Sequence, residues 1–397
     1  MSIFSQLTVL ECASVLAGPA VGALFAELGA RVIKLEPLNG DVTRSWKLSC
    51  EDPNTSVSAY FSSVNWGKSS VCLDLKQSRG RELAQVLAHQ ADILIANYKP
   101  GAAERLGMDY ASLSVHNPGL IYAHLTGYGS DDSRTGYDAL IQAESGFLYL
   151  NAHPGQIPSR MPVALIDILA AHQMKEAILV ALLEKTAGAQ GKYIEVSLFE
   201  SALASLANQA SNYLVAGQDP QPMGLEHPNI VPYGSLYTCA DQQQIMLAIG
   251  SDVQFRSLCQ ILDCPELAEN QDFKRNPDRV KHREKLNHFL SNLIQKQKSD
   301  ELLAKLWQAD IPAGQVQGVG QALNSPLAKD LLLESGELRG LRTSPFAKAR
   351  TLSAPPVLGQ DSASILKEFL GVSELQFQDL CQTGVTKQPG RGSSKPH

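Results

Sequence analysis

The sequence lacks the signatures of several common classes of protein. Its 397 residues contain no CxxC pair and no HExxH, and its seven cysteines are an odd number spread from Cys12 to Cys381. That usage fits reduced thiols in a cytoplasmic protein and leaves no disulfide framework and no metal site to expect. No apolar stretch approaches 18 residues before a charge interrupts it, so no membrane span is expected. The first residues have neither a basic region nor a small-residue cleavage site, and no signal peptide is expected. There is no excess of positive charge: 34 Lys and Arg face 40 Asp and Glu, for a formal net charge of -6. A chain of that balance has no general attraction for nucleic acid or anionic lipid. Three nucleotide and acyl-transfer motifs are absent as well. The first strand–helix turn, SVLAGPAVG, is not a GxGxxG, and neither a P-loop nor a GxSxG elbow occurs.

What is present is a core-forming chain, 44% hydrophobic and 19% charged, long enough to divide into two domains. Short apolar runs at 7–13, 31–36, 70–75, 91–97 and 120–126 alternate with helical periods at 19–30, 79–90 and 102–114. Continuous apolar strands between helices predict a parallel sheet covered on both faces, a doubly wound, Rossmann-like α/β fold. Helices are predicted over 138–150, 167–186 and about 195–215. Residues 217–234 are rich in Pro and Gly and have no apolar period, as in a linker. Beyond it, SLYTCA and IMLAIG predict a hairpin around Asp241, then three short helices and an extended piece near AGQVQGV, a smaller α+β domain. The expected division is a large α/β domain over 1–216, a linker and small domain over 217–325, and a segment returning to the large domain over 326–382. The last stretch, 383–397, has the composition of a disordered tail.

Small polar motifs follow the strands, at the edge where open parallel sheets bind ligands. They are Ala17-Gly18-Pro19, Glu36-Pro37-x-x-Gly40-Asp41-x-x-Arg44, Asn65-x-x-Lys68, Leu73-Asp74-Leu75-Lys76 and Asn97-Tyr98-Lys99-Pro100-Gly101-x-x-x-Arg105-Leu106-Gly107. Thr126-Gly127-Tyr128-Gly129 and Gly136-Tyr137-Asp138-x-x-x-Gln142 come last. Each alone is ordinary βα-turn chemistry. Asp167 opens a long helical period after Pro162, and on its own reads as an N-cap that accepts backbone N–H groups.

Taken in order, these motifs resemble the class III CoA-transferases, the family of formyl-CoA and carnitine CoA-transferases. The resemblance runs from about residue 7 to beyond residue 316. It adds PVALID, HPNIVPYGSLYTCAD, SDVQF and IPAGQV to the motifs above. It implies a CoA-transferase that moves coenzyme A from an acyl-CoA to a small carboxylic acid, with an interlocked homodimer and no permanently bound cofactor. It places the nucleophilic carboxylate at Asp167, which would pass through an aspartyl anhydride and an aspartyl-CoA thioester. A helix N-terminus there is expected to keep the carboxylate ionised. By matching positions, CoA contacts are implied at Val15, Ala17, Leu73, Lys76, Asn97, Tyr98, Arg105, Leu106 and Tyr128. Lys76 and Arg105 would be the phosphate partners.

The sequence departs from formyl-CoA transferases at Leu16 and Pro37, where they carry polar or charged residues. His227-Pro228-Asn229-Ile230 stands near the place of their glycine-run loop. The α-methylacyl-CoA racemases share the fold and are the alternative. Their second base is a histidine in a Gly-His-Asp stretch, and here that stretch reads Gly136-Tyr137-Asp138. A phenol, with a pKa of about 10 against about 6.5 for imidazole, is a poor base near neutrality. A CoA-binding protein without catalysis and a nucleotide-dependent oxidoreductase are the remaining readings.

Overall fold

The computed structural model describes residues 4–347 and 351–388. They form two compact units. The first comprises the described parts of Met1–Phe147, Arg160–Ser211 and Lys329–His397, the second Leu148–Ser159 and Asn212–Ala328.

The first unit is built on six strands: β1 (Thr8–Glu11), β2 (Arg31–Glu36), β3 (Ser69–Cys72), β4 (Ile93–Ala96), β5 (Ile121–Thr126) and β6 (Lys192–Ser197). Their order is β3-β2-β1-β4-β5-β6, and every pairing is parallel. Alternate strand residues serve opposite faces. Val9, Val32, Ile93 and Ala123 join one core with the helices Ala17–Glu27 and Leu165–Thr186. Leu10, Ile33, Leu94 and Tyr122 join another with Ser78–His89 and Ser362–Leu370. The chain is therefore a mixed α/β protein whose parallel sheet is buried on both faces. Among the described residues no helix is long and apolar enough to cross a membrane.

Several elements differ from the sequence reading. The stretch predicted as helix over 195–215 begins inside β6, where Ile194 and Val196 pack on the first core while Tyr193 and Glu195 point the other way. Its period of two is only three pairs long, too short to outweigh the helical pattern that follows. The helix over 102–114 is two, Ala102–Leu106 and Tyr110–Ser114, because Gly107 caps the first in a left-handed conformation at φ 62°. In the same way Gly146, at φ 90°, divides Asp138–Glu144 from Phe147–Leu150.

The second unit holds an antiparallel sheet of β7 (Tyr233–Thr238), β8 (Gln244–Ala248) and β9 (Ala313–Gln315) in that order. Tyr237, Ile245 and Leu247 pack there with Phe255, Leu286 and Leu302 from its helices. Near the end of the chain Leu366, Phe377, Leu380 and Val385 lie in the second core of the first unit. Thr386 donates to the Cys72 carbonyl at 2.6 Å. Residues 389–397, most of the expected tail, lie outside the described residues.

The polar motifs after β1, β2 and before β3 meet in a buried charge cluster. Lys34 Nζ lies 3.0 Å from both Glu11 and Asp41, and Lys68 Nζ lies 2.7 Å from the other Glu11 oxygen. Lys68 also donates to Asn65 Oδ1 and the Pro19 carbonyl, at 2.9 and 2.8 Å. Alongside, Arg44 grips Glu36 with two bonds of 2.7 Å. Opening such a pair by removing one partner leaves an uncompensated buried charge. Lys68→Met should therefore lower stability by about 3–5 kcal/mol, read from the shift in urea midpoint at unchanged slope. A loss below about 1 kcal/mol would show that the cluster is not what holds β1 to the Asn65 segment.

Candidate active site

The strand order reverses between β1 and β4: the chain leaves β1 toward β2 and leaves β4 toward β5. Loops diverging from two neighbouring carboxyl ends leave a crevice there. In this chain it is a cavity of about 220 Å³ lined by residues 14–17 after β1, residues 97–100 after β4, and Thr126, Gly127 and Asp138 after β5. Asp167 and Leu198 also line it, as does the loop from Gly129 to Tyr137 in part.

Asp167 lies in the first turn of Leu165–Thr186 and is 8% exposed. It does not cap that helix. The capping bond comes from Asp138, whose Oδ1 accepts the Ile166 N–H at 2.8 Å. Its Oδ2 accepts from Gln142 Nε2 at 2.7 Å, and Gln142 Oε1 accepts the Met161 N–H at 3.0 Å. Asp138 and Gln142, one helical turn apart, thus hold the segment leading into Asp167. Among the described residues the Asp167 carboxylate receives no hydrogen bond.

That isolation sets its titration. Burial, reinforced by the negative charge of Asp138, pushes Asp167 up to about 7. The expectation that the helix terminus would keep it fully ionised is therefore corrected. The Ile166 N–H is turned to Asp138, and desolvation outweighs the dipole. Near neutral pH the group is an anion for part of the time, poorly solvated and with its lone pairs free. A carboxylate in that state is suited to attack an electrophile.

The CoA-contact positions inferred from the sequence separate into two groups. Val15, Ala17, Asn97 and Tyr98 line the cavity with Asp167. Asn97 also clamps the neighbouring turn, accepting from the Ser14 N–H at 3.1 Å and donating to the Ser14 carbonyl at 2.9 Å. Leu73, Lys76, Arg105, Leu106 and Tyr128 lie outside the lining. Leu73 is fully buried in the second core, where its N–H donates to the Glu36 carbonyl. Leu106 packs against that same core. Lys76 and Arg105 are exposed. Arg105 curls back over Gly101, one residue beyond the rim, so that a Cβ on Gly101 would meet its guanidinium at 3.1 Å. Tyr128 is half-buried against Phe199, and the Arg134 guanidinium lies over its ring at 3.8 Å.

Sequence reasoning missed two cations in the wall. Lys99 donates to Thr135 Oγ1 at 3.1 Å, and Arg134 pairs with Asp132 at 2.9 Å and Glu144 at 3.2 Å. Lys99 directly follows the Asn97-Tyr98 motif, so its place after a strand end was a usable signal. Arg134 sits in a polar loop and had none. Tyr137 is 56% exposed and also lines the cavity, while no histidine does. His124 is engaged elsewhere, with Tyr193 Oη at 2.9 Å and the Tyr98 carbonyl at 3.0 Å. Among the described residues no cluster of His, Cys, Asp and Glu could hold a metal ion.

Comparison with known proteins points the same way. The model of CoA-transferase family III matches residues 4–362. The succinate–glutarate CoA-transferase of Agrobacterium fabrum is 35% identical over 383 residues, covering 92% of this chain and 95% of that protein. The human succinyl-CoA:glutarate CoA-transferase is 31% identical, covering 96% and 89%. Among solved structures, a CAIB/BAIF family protein from Brucella suis superposes with a TM-score of 0.83 at 36% identity, covering 93% of this chain and 99% of that one.

The raised pKa of Asp167 carries a sign that can be measured. The folded state holds the Asp167 proton more tightly than the unfolded chain, so stability falls as pH rises from about 4 to about 7. Asp167→Asn removes that penalty. The variant should match the wild type near pH 4 and exceed it by about 2–4 kcal/mol at pH 8, as read by urea unfolding at each pH. A difference that stays flat with pH would mean that Asp167 titrates near its ordinary value.

Proposed function

We propose that this chain, which belongs to CoA-transferase family III, moves coenzyme A between an acyl-CoA and a carboxylic acid with Asp167 as the covalent nucleophile. The observation that supports this most directly is a buried carboxylate, without a hydrogen bond among the described residues, at the switch point of the sheet beside Val15, Ala17, Asn97 and Tyr98.

The chemistry needs only that carboxylate and the two substrates. An Asp167 oxygen attacks the donor thioester carbonyl, the C–S bond breaks, and CoA leaves as a thiolate while a mixed anhydride forms. The thiolate attacks the aspartyl carbonyl, which releases the donor acid as its carboxylate and leaves an aspartyl-CoA thioester. The acceptor carboxylate then attacks that thioester and the two steps run in reverse, restoring Asp167. No proton is gained or lost overall, so the demand on the site is an ionised Asp167 and a thiolate that does not diffuse away. Holding the far end of CoA supplies the second.

The cavity is smaller than the about 300–1,000 Å³ of a cleft that encloses a drug-sized ligand. It suits the thioester end, with the nucleotide passing over the rim at Pro100 and Gly101 toward the exposed Arg105 and Lys76, which would meet its phosphates. The names of the succinate and glutarate enzymes favour a dicarboxylic acid as one substrate, and Lys99 and Arg134 are the wall cations available to its second carboxylate. The same reading includes a homodimer: Leu179, Val180 and Leu183 form an exposed apolar face on Leu165–Thr186 that a second copy would cover. It also includes a cytoplasmic setting, with the seven cysteines unpaired.

Replacing Asp167 with Asn or Ala should leave CoA binding intact and lower transfer by at least ~10³-fold. Wild-type enzyme mixed with acyl-CoA and then hydroxylamine should carry a hydroxamate on the Asp167 peptide, seen by mass spectrometry. A variant that keeps more than a tenth of the activity would remove Asp167 from the reaction.

Racemase chemistry requires a second acid–base group facing Asp167, and the cavity offers Tyr137 in place of a histidine. A 2-methylacyl-CoA incubated with the enzyme in D₂O without acceptor should therefore show no deuterium at the α-carbon by NMR. Exchange at a catalytic rate would replace the transferase reading with an isomerase.

A further inference from the structure

Val15 has a φ of 72°, in the left-handed region, and it lines the cavity with Asp167. A β-branched residue there is a genuine outlier, because its branched carbon crowds the backbone carbonyl. Such a conformation persists only where its surroundings over-determine it, and it commonly marks a functional constraint. Glycine would adopt it freely.

The surroundings are specific. Both carboxylate oxygens of Asp41 face the Val15 N–H, at 3.3 and 3.4 Å. Asp41 is buried and outside the cavity wall, and it is itself fixed. Its Oδ1 accepts the Thr43 N–H at 3.0 Å and the Thr43 hydroxyl at 2.8 Å, and its Oδ2 lies 3.0 Å from Lys34 Nζ. Lys34 is anchored in turn by Glu11 at 3.0 Å and by the Ala13 carbonyl at 2.9 Å. Burial alone would push Asp41 up, but Lys34 and Thr43 outweigh it and hold the carboxyl below its ordinary range. Two residues of the same turn are thus gripped from opposite sides, Ser14 by Asn97 and Val15 by Asp41. The grip on Val15 is anchored in the strand that neighbours β1.

We infer that Asp41 is a positioning residue for the transfer reaction: it holds Val15 in the left-handed conformation, and so presents the turn between β1 and the first helix as a rigid wall for the acyl-CoA thioester. The inference rests on the reading that this cavity receives the thioester. Without Asp41, Val15 relaxes to an extended conformation and the turn must be reorganised each time substrate binds.

Steady-state kinetics on the full chain test this, with thermal melts to count folded enzyme. Asp41→Asn should raise KM for the acyl-CoA about tenfold, the factor that a conformational penalty of about 1.4 kcal/mol sets, with the acceptor KM nearly unchanged. Adding Val15→Gly to Asp41→Asn should recover most of that loss, because glycine reaches positive φ without being held. Adding Val15→Ala should not, because alanine meets the same left-handed penalty. Should Asp41→Asn fail to fold, Thr43→Val, which removes one bond that orients Asp41, should give the same pattern on a scale of about threefold. The assignment is overturned if the Asp41 or Thr43 variant binds acyl-CoA as the wild type does per folded molecule, or if glycine and alanine rescue equally. Asp167→Asn measured in parallel separates the two levels. If it stays active, the reading of the cavity fails. If it is inactive while Asp41→Asn behaves as wild type, only the role of Asp41 fails.

Discussion

Two ammonium groups and two carboxylates are buried together at the carboxyl ends of β1 and β2, linked as a chain of ion pairs from Asp41 through Lys34 and Glu11 to Lys68. Each would be unstable alone in a core, where an unpaired ion loses far more hydration than packing returns. The cluster therefore fixes relative positions as well as charges. It ties the end of β1 to β2, to the loop after β2 and to the Asn65–Lys68 segment before β3. The turn that leaves β1 starts from this fixed frame, and that turn is one wall of the cavity. A hydrophobic core would hold the strands equally well, but it would not aim a carboxylate at a single backbone N–H.

A second division of labour falls to a pair of aspartates. Helix termini leave N–H groups that need acceptors, and a carboxylate used for that purpose gives up its lone pairs. In this chain Asp138 takes the capping duty, with Gln142 securing its other oxygen. Asp167 is left with burial and a like-charged neighbour, and receives no hydrogen bond among the described residues. Two residues of one type, meeting at one helix start from two helices, thus acquire different properties. One is immobilised by the bonds it accepts; the other is pushed up to about 7 by burial and by the charge of its neighbour.

Much of this was legible in the residues. The alternation of apolar strands with helical periods pointed to a buried parallel sheet, and five of the six strands fall where that pattern placed them. By position alone Asp167 read as an N-cap at the start of the longest described helix; the resemblance of the ordered motifs is what singled it out, and with it Val15, Ala17, Asn97 and Tyr98. Glu36, Asp41, Arg44 and Lys68 stood in the polar motifs, but their pairing with one another and with Lys34 and Glu11 was not visible, because the partners come from different parts of the chain. β6 was hidden because six residues of alternation run directly into a helix.

The sequence by itself determined the layers of this protein and its kinship, because hydrophobic periodicity and ordered short motifs are local properties of the chain. Tertiary structure alone decided which strand ends meet. Once β1 lies beside β4, residues from positions 14 to 17, 97 to 100 and 167 share one cavity, and Lys99 and Arg134 enter its wall while Lys76 and Arg105 stay outside. It also decided that Asp138 caps the helix, and that burial, with the charge of Asp138 beside it, raises Asp167 to about 7. Solvation and charge depend on what surrounds a group in space, and residues 138 and 167 become neighbours only when their two helices pack together.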